Sequence, residues 1–141
     1  MDQLGAKIFT VDEANRLIPY LERSLETLTA LAREIGGLQR DLEILAAIAA
    51  SGVTRANPDV RELREKQRLQ KDIVDRYRAL LGEVAGRGCI LRDLDIGLVD
   101  FYTTTRDRIV CLCWRRGEVE IAHWHPMDQG FSGRRPLSEL P

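Results

Sequence analysis

The pattern of apolar and polar positions changes period once, near Gly88. Before that point apolar residues recur every three or four positions, and after it they tend to alternate. The series Leu17, Leu21, Leu28, Leu31, Ile35, Leu38, Leu42 and Leu45 falls on one stripe of a helix, with Ser24 filling one place in it beside Leu25. The stripe predicts a helix ending near Ser51-Gly52. Its start is marked by Thr10-Val11-Asp12-Glu13, the form of a capping box, with Phe9 placed as a hydrophobic staple. The acids at 12 and 13 suit the positive end of the helix dipole. Pro19 removes a backbone donor and crowds the carbonyl of Asn15, which predicts a kink or a short separate first helix. Gly36-Gly37 weakens the middle by about 1 kcal/mol per glycine relative to alanine; the pair reads as tolerated surface positions, with a close helix crossing as the alternative.

Residues 51–57 read as a connection, and Asn57-Pro58 starts a second helix, with Asn as the N-cap and Pro at the first helical position. Val60, Leu63, Gln67, Gln70, Val74, Tyr77, Leu81 and Val84 carry its stripe, and Gly86-Arg87-Gly88 ends it. The short connection makes the two helices antiparallel neighbours. Gln67 and Gln70 make the middle of the pair a place for solvent or a polar partner.

From Gly88 onward four short strands are expected: Cys89–Leu91, Leu98–Thr104, Arg108–Trp114 and Glu118–Trp124. The breaks fall at Asp95-Ile96-Gly97, Arg106-Asp107 and Arg116-Gly117. Consecutive strands joined by tight turns make an antiparallel meander. The fold class is therefore α+β in a single domain, 1–141: a long helical hairpin over 8–87, packed with a small sheet over 88–126, and an irregular tail over 127–141.

Charge narrows the function. The formal net charge is -1, and from Arg87 onward eight arginines face eight acidic residues, so no basic stripe points to nucleic acid. No run approaches the roughly 18 apolar residues of a membrane span. Met1-Asp2-Gln3-Leu4-Gly5 does not form a basic region leading into an apolar one, so no signal peptide is expected. Three cysteines, 89, 111 and 113, make an odd count that suits reduced thiols and a cytoplasmic location.

Several segments together resemble a known family. Cys89-Ile-Leu-Arg-Asp-Leu-Asp-Ile-Gly-Leu-Val-Asp-Phe101, Leu112-Cys-Trp114, Gly117-Glu-Val-Glu-Ile-Ala-His-Trp-His125 and Gly130-Phe-Ser-Gly-Arg134 are similar to the bacterial domain of unknown function family 2203. Phe9-Thr10-Val11-Asp12-Glu13-Ala14-Asn15 resembles the opening of the same family. The resemblance implies a label carried by some members, division initiation, and no catalytic residues.

The chemistry therefore has to be read from the residues. His123 and His125 lie two apart on an expected strand, so both imidazoles share a face. Such a pair offers a divalent ion two nitrogens, and a carboxylate completes a facial set. Asp93, Asp95, Asp100 and Asp128 are the candidates, with Asp95 and Asp100 preferred at the ends of the turn around Gly97. The plainer alternative is that the histidines bond locally at the end of the sheet. Cys111-x-Cys113 invites a zinc site of two cysteines and two histidines, but the expected register opposes it. A three-residue loop at 115–117 sets Cys113 opposite Val119 and Cys111 opposite Ile121, short of the histidines. A two-residue loop puts the cysteines on the other face. Arg134-Arg135, after Gly130-Phe131-Ser132-Gly133, are candidates to hold a small anionic ligand.

Two functions follow. One is a site for a divalent metal ion or small anion, with no reaction assigned. The other is a non-enzymatic assembly protein that forms a homodimer through its helices. A first helix of roughly forty residues would run about 60 Å, more than a small sheet covers.

Overall fold

The computed structural model describes residues 6–51 and 58–141. The expected connection at 51–57 and the Asn57 cap lie outside the described residues, Ser51 apart. Helix α1, Val11–Arg16, begins in the capping box: the Glu13 amide donates to Thr10 Oγ1 at 3.1 Å, and the Thr10 amide donates to Glu13 Oε1 at 2.9 Å. These bonds hold the Glu13 carboxyl below its usual range. Helix α2, Ile18–Ala49, follows after one residue, Leu17. Pro19 thus stands in the first turn of a new helix, where a missing N–H costs nothing. Helix α3 covers Pro58–Gly86.

The chain divides into two compact units, residues 1–26 with 82–141, and residues 27–81. The second unit is a helix pair. Lys66 meets Asp41 at 3.4 Å and Gln70 donates to Gln39 at 3.0 Å, so position falls along α2 as it rises along α3, the antiparallel order. Gln70 thereby finds its polar partner inside the pair. Leu28, Leu31, Leu42, Leu45 and Ile73 are buried. Ile73 replaces the neighbouring Val74 as the buried position of the α3 stripe.

The first unit contains α1, both helix ends and one five-stranded antiparallel sheet in the order β1-β2-β3-β4-β5. Its strands are β1 Ile90–Asp93, β2 Leu98–Thr104, β3 Ile109–Arg115, β4 His123–Pro126 and β5 Arg135–Pro136. One face carries Val99, Phe101, Val110, Leu112, Trp114 and Trp124, all buried. Phe9 meets Phe101 edge to face at 5.1 Å, its amide donates to the Tyr102 carbonyl, and Thr103 Oγ1 donates to the Phe9 carbonyl. These contacts dock the segment before α1 on that apolar face.

Two expectations are corrected. The tail is not wholly irregular, because Arg135–Pro136 forms a fifth strand beside β4. The strand expected over Glu118–Trp124 begins only at His123. A tight turn does form, with the Glu118 amide bonded to the Arg115 carbonyl and Gly117 at φ +100°. After it, side chains replace ladder partners. The Trp114 indole donates to the Glu118 carbonyl at 2.9 Å, and the Ile121 amide donates to Asn15 Oδ1 at 2.7 Å. The chain leaves the sheet and returns three residues late, so Cys113 pairs with His123 where a two-residue loop would give Glu120. That odd offset reverses the face.

Candidate functional site

The shifted register puts Cys111 opposite His125 and Cys113 opposite His123, all on the sheet face away from Phe101. Asp100 pairs with Cys113 from the other side. Asp100 and His125 are therefore two strands apart, roughly 9.6 Å between backbones. The small cysteine side chains of β3 let them meet above it. His125 Nε2 lies 2.9 Å from Asp100 Oδ2, with the two side chains 2% and 1% exposed.

A fourth element converges on the same carboxylate. The β1–β2 register shifts between Leu91 and Asp93, and this irregularity, which re-aims a side chain as bulges do, brings Arg92 Nε to 2.9 Å from Asp100 Oδ2. Two groups thus crowd Oδ2, while Oδ1 is buried and meets no nitrogen or oxygen donor among the described residues, with the Cys113 thiol as its neighbour on the sheet. A buried acceptor left unpaired costs on the order of 1–3 kcal/mol, and more for a charged group.

Asp100, Cys113 and His125 each offer a ligand atom, all within 4.8 Å of one another, and all three residues are buried. A tetrahedral ion with bonds of about 2.0–2.3 Å sets its ligand atoms roughly 3.5 Å apart, within reach of small side-chain rotations. The other nitrogen of His125, Nδ1, lies 2.8 Å from the Pro126 carbonyl. Here Nε2 faces the Asp100 carboxylate; were an ion bound, an N–H on Nδ1 would donate to the Pro126 carbonyl and leave the Nε2 lone pair for the ion, the outer-shell arrangement typical of ligating histidines.

As a nucleophile Cys113 is poorly placed. Burial, with the Asp100 charge beside it, pushes its thiol up to about 12. Cys111 is pushed up by the same two causes, and its Sγ lies 3.8 Å from Met127 Sδ. A thiol buried beside a carboxylate stays protonated, whereas a coordinated cation inverts that preference.

Of the sequence-based candidates the structure brings Asp100 and His125 together, sets Asp128 in a pocket wall beside Asp100, and leaves the others apart. His123 shares the face but turns to Glu118, 3.6 Å away. Asp95 is exposed in the turn after β1. Asp93 Oδ1 accepts the Ile96 amide and closes that turn. Arg134 donates to Glu118 at 2.6 Å and to the Cys113 carbonyl at 3.1 Å, while Arg135 lies over the Trp124 ring at 5.3 Å. The two arginines engage different partners. Cys113 was set aside by the register argument, and Arg92 had no signal at all, because nothing in Leu91-Arg92-Asp93 announces the irregular pairing.

A pocket of about 250 Å³ opens beside the cluster, with Asp100 in its wall together with Arg92, Leu98, Met127, Asp128, Gln129, Gly130 and Phe131. The features define an α+β protein whose sheet buries an Asp–Cys–His group under an arginine. The chain belongs to the family described as "Uncharacterized conserved protein (DUF2203)", whose model matches residues 7–137. No curated protein and no solved structure matches it. No helix among the described residues is long and apolar enough to cross a membrane.

Proposed function

We propose that the protein binds one divalent transition-metal ion through Asp100, Cys113 and His125. The observation that carries this reading is the gathering of one ligand atom each from Asp100, Cys113 and His125, all three residues buried, within 4.8 Å of one another. A thiolate and an imidazole favour zinc or iron over magnesium or calcium, which prefer oxygen. Three protein ligands leave a position open, the arrangement of metal sites that polarise a bound molecule. Its three cysteines, all free and buried, suit a reducing cytoplasm.

The test is the metal content of untagged protein and its variants, with folding followed by circular dichroism. Near-stoichiometric metal is expected in the wild type and in His123→Ala, with loss in folded His125→Ala and Cys113→Ser. Absence of metal, including after incubation with zinc or ferrous iron, defeats the reading.

A second reading, homodimerisation through the helices, has its own support. Ile44 and Ile48, one turn apart on α2, are 62% and 38% exposed, and Leu69 on α3 is 50% exposed. Sedimentation should show a dimer that Ile44→Glu with Leu69→Glu converts to monomer; a wild-type monomer at high concentration rejects it.

A further inference from the structure

We infer that the pocket beside Asp100 takes a small monocarboxylate with an apolar portion, anchored by Arg92. This rests on the metal reading, and it adds the class of molecule that the open position would meet. Asp100 belongs to both places: its side chain is in the ligand group and in the pocket wall. Arg92 is fixed through Nε to that carboxylate at 2.9 Å, so its guanidinium plane is oriented, yet 43% of the side chain remains exposed and it also lines the pocket. An oriented arginine fork is matched to a carboxylate. Leu98, Met127 and Phe131 give the same pocket apolar wall. At about 250 Å³ it is smaller than the roughly 300–1,000 Å³ of drug-sized sites, which sets the scale of the ligand.

Charge selects the valence. A divalent ion would be balanced by the Asp100 carboxylate and a Cys113 thiolate, and Arg92 and Asp128, both on the pocket wall, contribute one charge of each sign. The site is then near neutral, with two positive points, metal and guanidinium, for one negative group. A dianion such as phosphate brings a second charge that Asp128 repels.

Cobalt(II) is the probe, because a cysteine ligand gives a thiolate-to-cobalt absorption and the visible bands respond to a molecule entering the open position. Cobalt-loaded protein is titrated with acetate, phenylacetate, phenylacetamide and inorganic phosphate. Phenylacetate should shift the visible bands saturably, acetate more weakly, and the amide and phosphate little. Arg92→Gln should raise the apparent Kd for phenylacetate about tenfold or more, the worth of a hydrogen bond to a charged group. Because Arg92 also touches Asp100, Phe131→Ala is the second variant, and should weaken phenylacetate more than acetate with the thiolate absorption intact. A normal thiolate absorption with no response to carboxylates, or an equal response to phosphate or the amide, overturns this inference alone. No thiolate absorption in wild-type protein overturns the metal reading and this inference with it.

Discussion

At the scale of single residues, Asp100 is the point on which the sheet's polar face depends. Its Oδ2 serves both Arg92 and His125, each at 2.9 Å, while the side chain is 1% exposed. Replacing it by alanine strands a buried imidazole and removes the partner of a half-covered guanidinium. Breaking a buried pair in this way costs about 3–5 kcal/mol. Asp100→Ala is therefore expected to lower the unfolding free energy by that order. Asp100→Asn retains shape and an acceptor oxygen, and should lose less. Urea unfolding of the two variants without metal checks the order; equal losses would show that the carboxylate charge, and not its shape or acceptor oxygen, carries the whole contribution.

At the scale of elements, what was legible in the sequence was what neighbouring residues decide. The Thr10–Glu13 box spans four residues, the helix break before Pro19 follows from a clash four positions back, and Leu98–Thr104 forms a strand with the bounds its alternation gives. What was not legible depended on distant partners. The start of β4 is set by Asn15, which accepts the Ile121 amide across 106 positions of chain, and by an indole that takes a carbonyl from the expected ladder. Without those bonds the register follows the turn, and the cysteines and histidines miss each other. Half of the candidate site was named in advance: His125, because strand alternation places it on a face without knowledge of register, and Asp100, because it follows the turn at Gly97. Cys113 needed the register itself, and Arg92 needed an irregular pairing with no local signature. Asn15 thus belongs to the site while standing outside it. Asn15→Ala leaves the Ile121 amide without its acceptor and is expected to cost about 1–2 kcal/mol. It should also weaken zinc binding by loosening β4. If zinc titration gives wild-type affinity, β4 is held by its ladder alone.

At the scale of the whole molecule, the buried thiols and the proposed metal would act on stability in opposite directions. Burial pushes Cys89 up to about 11 and Cys113 up to about 12, from an ordinary value of 9.0. Above about pH 9 the unfolded chain loses these protons while the folded chain keeps them, so metal-free protein should lose stability as pH rises from there. Urea midpoints between pH 7 and 10.5 check this; a flat profile denies the burial of the thiols. Zinc bound as proposed would reverse the demand on Cys113 by taking the thiolate, and would stabilise only the state in which Asp100, Cys113 and His125 are gathered. At a hundredfold excess over Kd that is about 2.7 kcal/mol. For a chain of this size it corresponds to a rise of roughly 5–10 °C in Tm. The two tryptophans, Trp114 and Trp124, both lie in the unit that contains the cluster, so their fluorescence follows that unit, while far-ultraviolet dichroism is dominated by α2 and α3. Both helices run without interruption through the division at residues 26–27 and 81–82, and a continuous helix transmits order along its length. Zinc is therefore expected to raise the midpoints of both signals together in the wild type and neither in Cys113→Ser. A zinc shift confined to fluorescence would instead make residues 27–81 a separate cooperative body that does not sense the site.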